Sequence, residues 1–260
     1  MALAIVSVLA ALPVVDCGTA AATGQLVTSR FVEDFDGPAG APPDPSRWTI
    51  DVGSSAENGW EAGSLQTYTD SPDNVMLDGR GRLVIRARRD GGGYTSGRIT
   101  TRGKVVFPFG TIVARMKLPA GQGLWSAFWM LGAKVDTVGW PGCGEIDIQE
   151  LINDATRYHV ALHGPGLDWV GEGPVPDLSA DFHNYWMTRR ADGITIGVDD
   201  TALNYFAPDP SASGAKWVFN DPMFALLNLA VGGTWPGSPD ASTPFPATML
   251  VDWLTFEPLK

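Results

Sequence analysis

The chain has 260 residues, enough for one domain with a full hydrophobic core. Its formal net charge of −11 would repel phosphate backbones and anionic lipids, so nucleic acids and membrane surfaces are not expected partners. Charged residues make up only 18%, while 31 Gly and 20 Pro favour many short strands over long helices.

Residues 1–24 have features of a secretory signal peptide. An apolar run extends through Val15 and is followed by Ala20-Ala21-Ala22, although no positive charge precedes it. The run is too short to span a bilayer. We therefore expect a signal peptide over 1–24, one domain over 25–260, no membrane span, an extracellular or cell-wall location and a monomer.

After this leader, turn signals recur about every ten residues, and the segments between them alternate apolar with polar residues. The predicted strands include residues 83–88, 112–118, 194–198 and 249–256. Residues 224–231 are nearly all apolar, as expected of a strand buried between two layers. This pattern predicts an all-β sandwich of two antiparallel sheets.

The segment 145–150 carries three carboxylates in six residues, interleaved with isoleucine. On a regular strand Glu145 and Asp147 share one face, whereas Glu150, five positions from Glu145, points to the other. A β-bulge between Asp147 and Glu150 would return Glu150 to the first face. The spacing therefore predicts a bulged strand with one acidic face.

With the bulge, the two Glu Cα atoms lie roughly 13 Å apart, and side chains leaning inward bring the carboxyl groups to about 5 Å. That separation is typical of a retaining glycosidase. Three carboxylates so close cannot all ionise at low cost, so at least one pKa should rise. Our hypothesis makes Glu145 the nucleophile, Glu150 the acid/base, and Asp147 the group that holds Glu145 and tunes its charge.

Together with this strand, four further segments resemble glycoside hydrolase family 16, and within it the bacterial endo-1,3-β-glucanases, or laminarinases. They are residues 65–70 (LQTYTD), 121–132 (GQGLWSAFWMLG), 162–166 (LHGPG) and 231–237 (VGGTWPG). The resemblance extends from about Phe31 to the C-terminus. It implies a β-jelly-roll sandwich with an open concave cleft, and an endo-acting, retaining β-glycanase whose substrate is 1,3-β-glucan.

The resemblance also implies binding residues and a metal. Substrate contacts are expected from Trp125, Trp129, Trp140, His163, Arg102 and Trp235. A structural Ca²⁺ is expected from the Asp252 side chain with carbonyls near Asp34 and Gly81, since oxygen ligands suit this ion. The chemistry itself requires no cofactor.

Two departures from the laminarinase pattern bear on the substrate. Residues 62–64 are Ala-Gly-Ser where relatives have Asn-Asn-Glu, which predicts the loss of an acidic contact in the cleft. Thr188-Arg189 stands in place of Glu-Trp. Both changes indicate altered subsites.

Other functions remain open at this stage. The chain could be a carbohydrate-binding sandwich with weak catalysis, or apply the same chemistry to galactan or another β-linked wall polysaccharide. Transglycosylation is a further alternative, since sugar can replace water in the second step. A metallohydrolase using His159 and His163 is disfavoured, because Val160 stands where a zinc-protease helix places its Glu. A serine hydrolase is disfavoured because the chain lacks a Gly-x-Ser-x-Gly elbow.

Overall fold

The computed structural model describes residues 24–58, 61, 63–209, 211 and 214–260, and its regular structure is almost entirely β. The strands are β1 (Gln25–Leu26), β2 (Phe31–Glu33), β3 (Thr49–Ile50), β4 (Gly53–Ser54), β5 (Gln66–Tyr68), β6 (Val75–Leu77), β7 (Leu83–Asp90), β8 (Gly93–Ser96), β9 (Arg98–Thr100), β10 (Val105–Val106), β11 (Gly110–Lys117), β12 (Leu124–Gly132), β13 (Glu145–Ile152), β14 (Arg157–Gly164), β15 (Leu167–Pro174), β16 (His183–Arg190), β17 (Gly193–Val198), β18 (Thr201–Phe206), β19 (Met223–Val231) and β20 (Ala247–Pro258).

Two four-residue helices, α1 (Ser55–Asn58) and α2 (Val135–Val138), accompany the strands. Within the described ranges, no helix has the length and apolarity needed to cross a bilayer. The predicted signal peptide, residues 1–24, lies outside these ranges except for Gly24.

Two large sheets form the predicted sandwich. One has seven strands in the order β15-β14-β13-β12-β19-β9-β3, and each strand pairs antiparallel with its neighbours. The other has eleven strands; nine follow the order β18-β17-β16-β11-β20-β7-β8-β5-β4, while β2 pairs with β20 and β6 with β7. The pairs β5–β8 and β1–β10 are parallel. The all-β antiparallel architecture is therefore confirmed, with two short parallel additions.

The core lies between the two sheets. Strand β11 alternates between buried and half-buried positions, and Ile112, Ala114 and Met116 face inward. Strand β19 is buried at every position, as its apolar sequence predicts. The reason is that Leu227 packs in the core, whereas Leu226 on the opposite face belongs to a second apolar cluster under Trp129. This second cluster forms the floor of a cleft.

The predicted bulge is present on β13. Trp129 of β12 pairs with Asp147, but the adjacent Phe128 pairs with Gln149, so Ile148 has no partner on β12. The register to β14 shifts in the same interval. The extra residue keeps Ile146 and Ile148 in the core while it turns Glu150 to the side of Glu145 and Asp147.

Arg189 lies away from this cleft, in the interior of the eleven-stranded sheet. It is 1% exposed, and its guanidinium donates hydrogen bonds to the carbonyl oxygens of Phe107, Phe219 and Asp221. The guanidinium also lies 5.0 Å from the Phe109 ring. Burial lowers its pKa to about 10. The expectation that Arg189 alters substrate subsites is wrong, because its contacts are structural.

Replacing this arginine should destabilise the fold without changing the chemistry. R189M leaves three carbonyl oxygens without their donor, and we expect the free energy of unfolding to fall by about 3–5 kcal/mol. Urea unfolding measures this. The matched control is R190M at the neighbouring exposed position, where a change within about 0.5 kcal/mol is expected. An equal loss in both variants would contradict the structural role.

Candidate active site

A cleft of about 470 Å³ crosses the outer face of the seven-stranded sheet. The three carboxylates of β13 line it together with Trp125 and Trp129 of β12. Its apolar floor is the second cluster beneath Trp129. An acidic strand and aromatic side chains therefore share one concave surface, which is the arrangement the sequence predicted.

The acids differ in their access to solvent. Asp147 and Glu150 are buried, whereas Glu145 is partly exposed. One carboxylate oxygen of Glu145, one of Asp147 and one imidazole nitrogen of His163 lie within 4.8 Å of one another. Gly144 has a φ of 80°, a conformation that favours glycine, and this turn starts β13 directly at Glu145.

Two tryptophans hold the two glutamates. Trp140 Nε1 donates to Glu145 Oε2 at 3.0 Å, and Trp125 Nε1 donates to Glu150 Oε1 at 2.9 Å. Each indole therefore fixes one carboxylate oxygen while its ring stays beside the cleft. The sequence predicted these residues as aromatic contacts but did not predict their hydrogen bonds to the acids.

Burial raises the pKa of all three acids. Burial is the main cause that raises the pKa of Glu145 to about 8, and the neighbouring Asp147 charge is the next. The His163 charge, the Trp140 N–H and the Arg98 charge oppose that shift. Burial followed by the Asp168 charge raises the pKa of Asp147. Burial also raises the pKa of Glu150 well above its usual range, with Asp147 as the next cause. Since Glu150 is enclosed and Glu145 reaches solvent and has more favourable partners, Glu145 is better suited to carry the negative charge.

His163 lies on β14 opposite Glu145 and connects two aspartates. Its Nε2 is 3.2 Å from Asp147 Oδ2, and its Nδ1 is 2.6 Å from Asp168 Oδ1. The Trp140 ring lies 6.3 Å from the imidazole. The structure therefore places His163 against the catalytic-strand acids, on the side of Glu145.

A polar network that the sequence analysis missed closes one end of the cleft. Arg98 Nη1 contacts Glu61 Oε1 at 2.9 Å, and Asn228 Nδ2 contacts the same oxygen at 3.3 Å. Trp129 Nε1 donates to Asn228 Oδ1 at 2.7 Å, and the Arg98 guanidinium lies 5.0 Å from the Trp129 ring. The signal for Asn228 was a single polar residue in the otherwise apolar strand β19.

Glu61 lies directly before residues 62–64, where an acidic contact is expected to be lost. Its side chain is 7% exposed and lines the cleft, and its Oε2 atom has no hydrogen-bond partner. A carboxylate just upstream of residues 62–64 therefore lies in the cleft. The motifs alone could not show this, because the contacts of Glu61 with Arg98 and Asn228 join residues far apart in the chain.

The remaining predicted contacts lie farther out. Arg102 lines the cleft and pairs with Asp136 of α2. Trp235 is 46% exposed and meets Trp125 edge-on at 5.5 Å between ring centroids. Arg102 and Trp235 therefore mark the margins of the site rather than its centre.

The residues proposed as calcium ligands differ in how well their surroundings suit the ion. Gly81 lies beside the Asp34 carbonyl and the Asp36 carboxylate. Asp252, however, contacts Arg115 at 2.7 Å and Arg82 at 3.7 Å. A carboxylate neutralised by two guanidinium groups does not suit Ca²⁺, so these contacts do not favour Asp252 as a ligand. The calcium site stays a prediction.

Comparison with known families identifies the chain. The model of glycosyl hydrolases family 16 matches residues 62–255. The chain belongs to this family. The resemblance that its motifs predicted is therefore confirmed, and the bulged acidic strand of this family 16 protein lies within the matched region.

Individual relatives agree with this assignment. A beta-glucanase of Rhodothermus marinus is 36% identical over 234 residues, which cover 82% of this chain and 79% of the relative. The endo-beta-1,3-glucanase of Pyrococcus furiosus superposes with a TM-score of 0.80 at 39% identity, covering 88% of this chain and 94% of the other. The laminarinase catalytic domain of Thermotoga petrophila RKU-1 also has a TM-score of 0.80, at 38% identity, covering 91% and 98%.

The Trp125 hydrogen bond gives a test of the acid/base assignment. In W125F the ionised form of Glu150 loses a donor, so the pKa of Glu150 rises and the alkaline limb of the kcat/KM profile should move up by roughly half a pH unit. Phenylalanine keeps the aromatic ring. W217F, which also loses an indole hydrogen bond but lies outside the cleft, should leave the profile unchanged. An unmoved limb in W125F would argue against Glu150 as the acid.

Proposed function

We propose that this family 16 protein is an endo-acting, retaining β-glycanase that hydrolyses laminarin-type 1,3-β-glucan by double displacement. The observation that carries the proposal is the bulge at Ile148, which places Glu145, Asp147 and Glu150 in one cleft. A retaining mechanism is characteristic of the family. The 1,3-β-glucan substrate is supported by the relatives, two of which are named as 1,3-glucanases.

In the first step the Glu145 carboxylate attacks the anomeric carbon while Glu150 donates its proton to the leaving glycosidic oxygen. The bond between that carbon and oxygen breaks, and a covalent glycosyl ester forms on Glu145. In the second step Glu150 takes a proton from water, the water oxygen attacks the same carbon, and Glu145 is released. The buried Glu150 is suited to begin protonated, and Glu145 is held in place by Trp140.

Exposed aromatic side chains on both sides of the acids support internal cleavage. Trp140, 61% exposed, adjoins Glu145, whereas Trp235 lies beyond Trp125 next to Glu150. Indole faces stack on the C–H faces of sugar rings. A glucan chain that contacts both aromatics must extend past the acids in both directions, so the cut falls within the chain.

The polar end of the cleft is suited to sugar hydroxyls. Glu61 lines the cleft, and Arg98 and Asn228 hold its Oε1 atom. An acceptor held this firmly can bind a hydroxyl group without reorganising. We propose that Glu61 supplies the acidic sugar contact that residues 62–64 lack.

Product analysis tests the substrate. The protein is incubated with laminarin, mixed-linkage glucan and galactan, and the products are sized over time. We expect mid-sized oligosaccharides from laminarin early in the reaction, with the β-anomer released first. Cleavage of galactan alone would overturn the substrate assignment, and binding of laminarin without cleavage would overturn the enzymatic one.

Removing the nucleophile tests the mechanism. E145Q eliminates the attacking charge at nearly constant volume, so turnover of laminarin should fall at least about 10⁴-fold while laminarin binding persists. Calorimetric titration and initial rates measure the two effects. E257Q, on the other sheet, removes a carboxylate far from the cleft and should keep full activity. Residual activity above about 1% in E145Q would count against its role as nucleophile.

We also propose that the chain is exported, on the basis of the apolar leader over residues 1–24. Mass spectrometry of the protein recovered from culture medium should give an N-terminus near residue 25. Retention of intact Met1 would contradict this.

A further inference from the structure

His163 stands beside two of the acids but has no part in the proposed mechanism. Its strand, β14, pairs with β13 so that His163 lies directly opposite Glu145. One oxygen of Glu145, one oxygen of Asp147 and one imidazole nitrogen lie within 4.8 Å of one another. Two adjacent strands therefore bring three groups that can ligate a metal ion to one place at the cleft.

One atom of this group is buried without a partner. Asp147 Oδ2 forms no hydrogen bond, and the Asp147 side chain is 5% exposed. His163 Nε2 lies 3.2 Å from this oxygen, but the contact lacks the geometry of a hydrogen bond. Because a buried carboxylate oxygen without a donor is costly, a cation bound against it would remove that cost.

The spacing of the two atoms suits a shared metal ion. Zn²⁺ binds imidazole nitrogen and carboxylate oxygen tetrahedrally at about 2.0–2.2 Å, which places two ligand atoms roughly 3.3–3.5 Å apart. The 3.2 Å between His163 Nε2 and Asp147 Oδ2 is close to that value. A ligand lone pair points at the ion and not at the next ligand atom, so hydrogen-bond geometry is not required. Glu145 is partly exposed and needs to move by at most about 1.5 Å to complete the set.

The surrounding charges favour a cation. Asp168 Oδ1 lies 2.6 Å from His163 Nδ1 and adds negative charge on the far side of the imidazole. Burial raises the pKa of Glu145 and of Asp147, and a neighbouring acid is the next cause for each. Acids that retain protons this strongly are also stabilised by a metal ion, which displaces the protons when it binds.

The ligand types determine the class of ion. One imidazole nitrogen with two carboxylate oxygens suits Zn²⁺, and also Cu²⁺ and Ni²⁺. Mg²⁺ and Ca²⁺ prefer oxygen ligands alone. The group therefore favours divalent transition-metal ions over the hard cations.

We propose that Glu145, Asp147 and His163 form an inhibitory binding site for Zn²⁺ and similar divalent transition-metal ions. A bound ion holds the Glu145 carboxylate, so that Glu145 cannot attack a sugar, and the ion and the glucan exclude each other. Metal binding requires only the three side chains. The inhibition rests on the proposed function, because it requires Glu145 to be the nucleophile.

Calorimetric titration of ZnCl₂ into the untagged protein measures the site without substrate. We expect one Zn²⁺ per chain, bound at least about 10-fold more weakly in H163Q and in E145Q, because each variant lacks one ligand. H183Q is the matched control, since His183 Nδ1 also lies 2.7 Å from a carboxylate oxygen, that of Asp199, but on β16 of the other sheet. It should keep the zinc affinity of the unmodified protein. MgCl₂ should bind at least about 10-fold more weakly than ZnCl₂.

Initial rates on laminarin measure the inhibition. Zn²⁺ should raise the apparent KM of the unmodified protein and leave kcat unchanged, because ion and glucan compete. The inhibition constant should rise at least about 10-fold in H163Q and stay unchanged in H183Q. A fall in kcat at constant KM would contradict the competition.

The metal site is refuted if the unmodified protein binds no Zn²⁺, if folded H163Q or E145Q keeps full affinity, or if H183Q loses as much affinity as H163Q. Thermal unfolding without metal checks the folding of each variant. E145Q changes the side-chain volume little, so it decides the question if H163Q does not fold. If the protein binds Zn²⁺ as expected but cleaves no glucan, the proposed function fails while the metal site stands.

Discussion

The site depends on one constraint: three carboxyl groups of a single strand must face the same side of a sheet. Regular alternation would direct Glu150 into the core, where an unpaired carboxylate is very costly. Because Ile148 has no partner on β12, the alternation of side chains shifts by one residue. The isoleucines therefore face the core while the acids face the cleft. Core packing and the acidic cleft thus have the same local cause.

Neighbouring carboxylates repel one another when they are ionised. The surrounding side chains stabilise the ionised forms of these acids to different extents. Glu145 reaches solvent and receives the Trp140 N–H, whereas Glu150 is enclosed and receives only the Trp125 N–H among the described hydrogen bonds. Two chemically identical groups therefore differ in their tendency to ionise. That difference is what separates a nucleophile from a proton donor, and it arises from the packing of β12 and of the loop before β13.

Much of the fold could be predicted because the relevant patterns are local. The apolar sequence of residues 224–231 predicted a strand buried on both faces, and these residues lie within β19. The five-residue spacing of Glu145 and Glu150 predicted a β-bulge, and the bulge is observed. Roles that depend on distant partners were not predictable. Arg189 was interpreted as a subsite change, but it binds carbonyl groups from two other segments of the chain. Glu61 was overlooked because its contacts with Arg98 and Asn228 join residues far apart in the chain.

The sequence by itself determined the β architecture, the acidic face of β13 and the family, since alternation and motif spacing are properties of the chain that need no partner strand. Only the tertiary structure decided which groups surround each acid: Trp140 at Glu145, Trp125 at Glu150, and His163 with Asp168 at Asp147. The physical reason is that ionisation and hydrogen bonding depend on contacts of a few ångströms between residues from different strands and loops. Those contacts exist only once the sheet and its loops have come together.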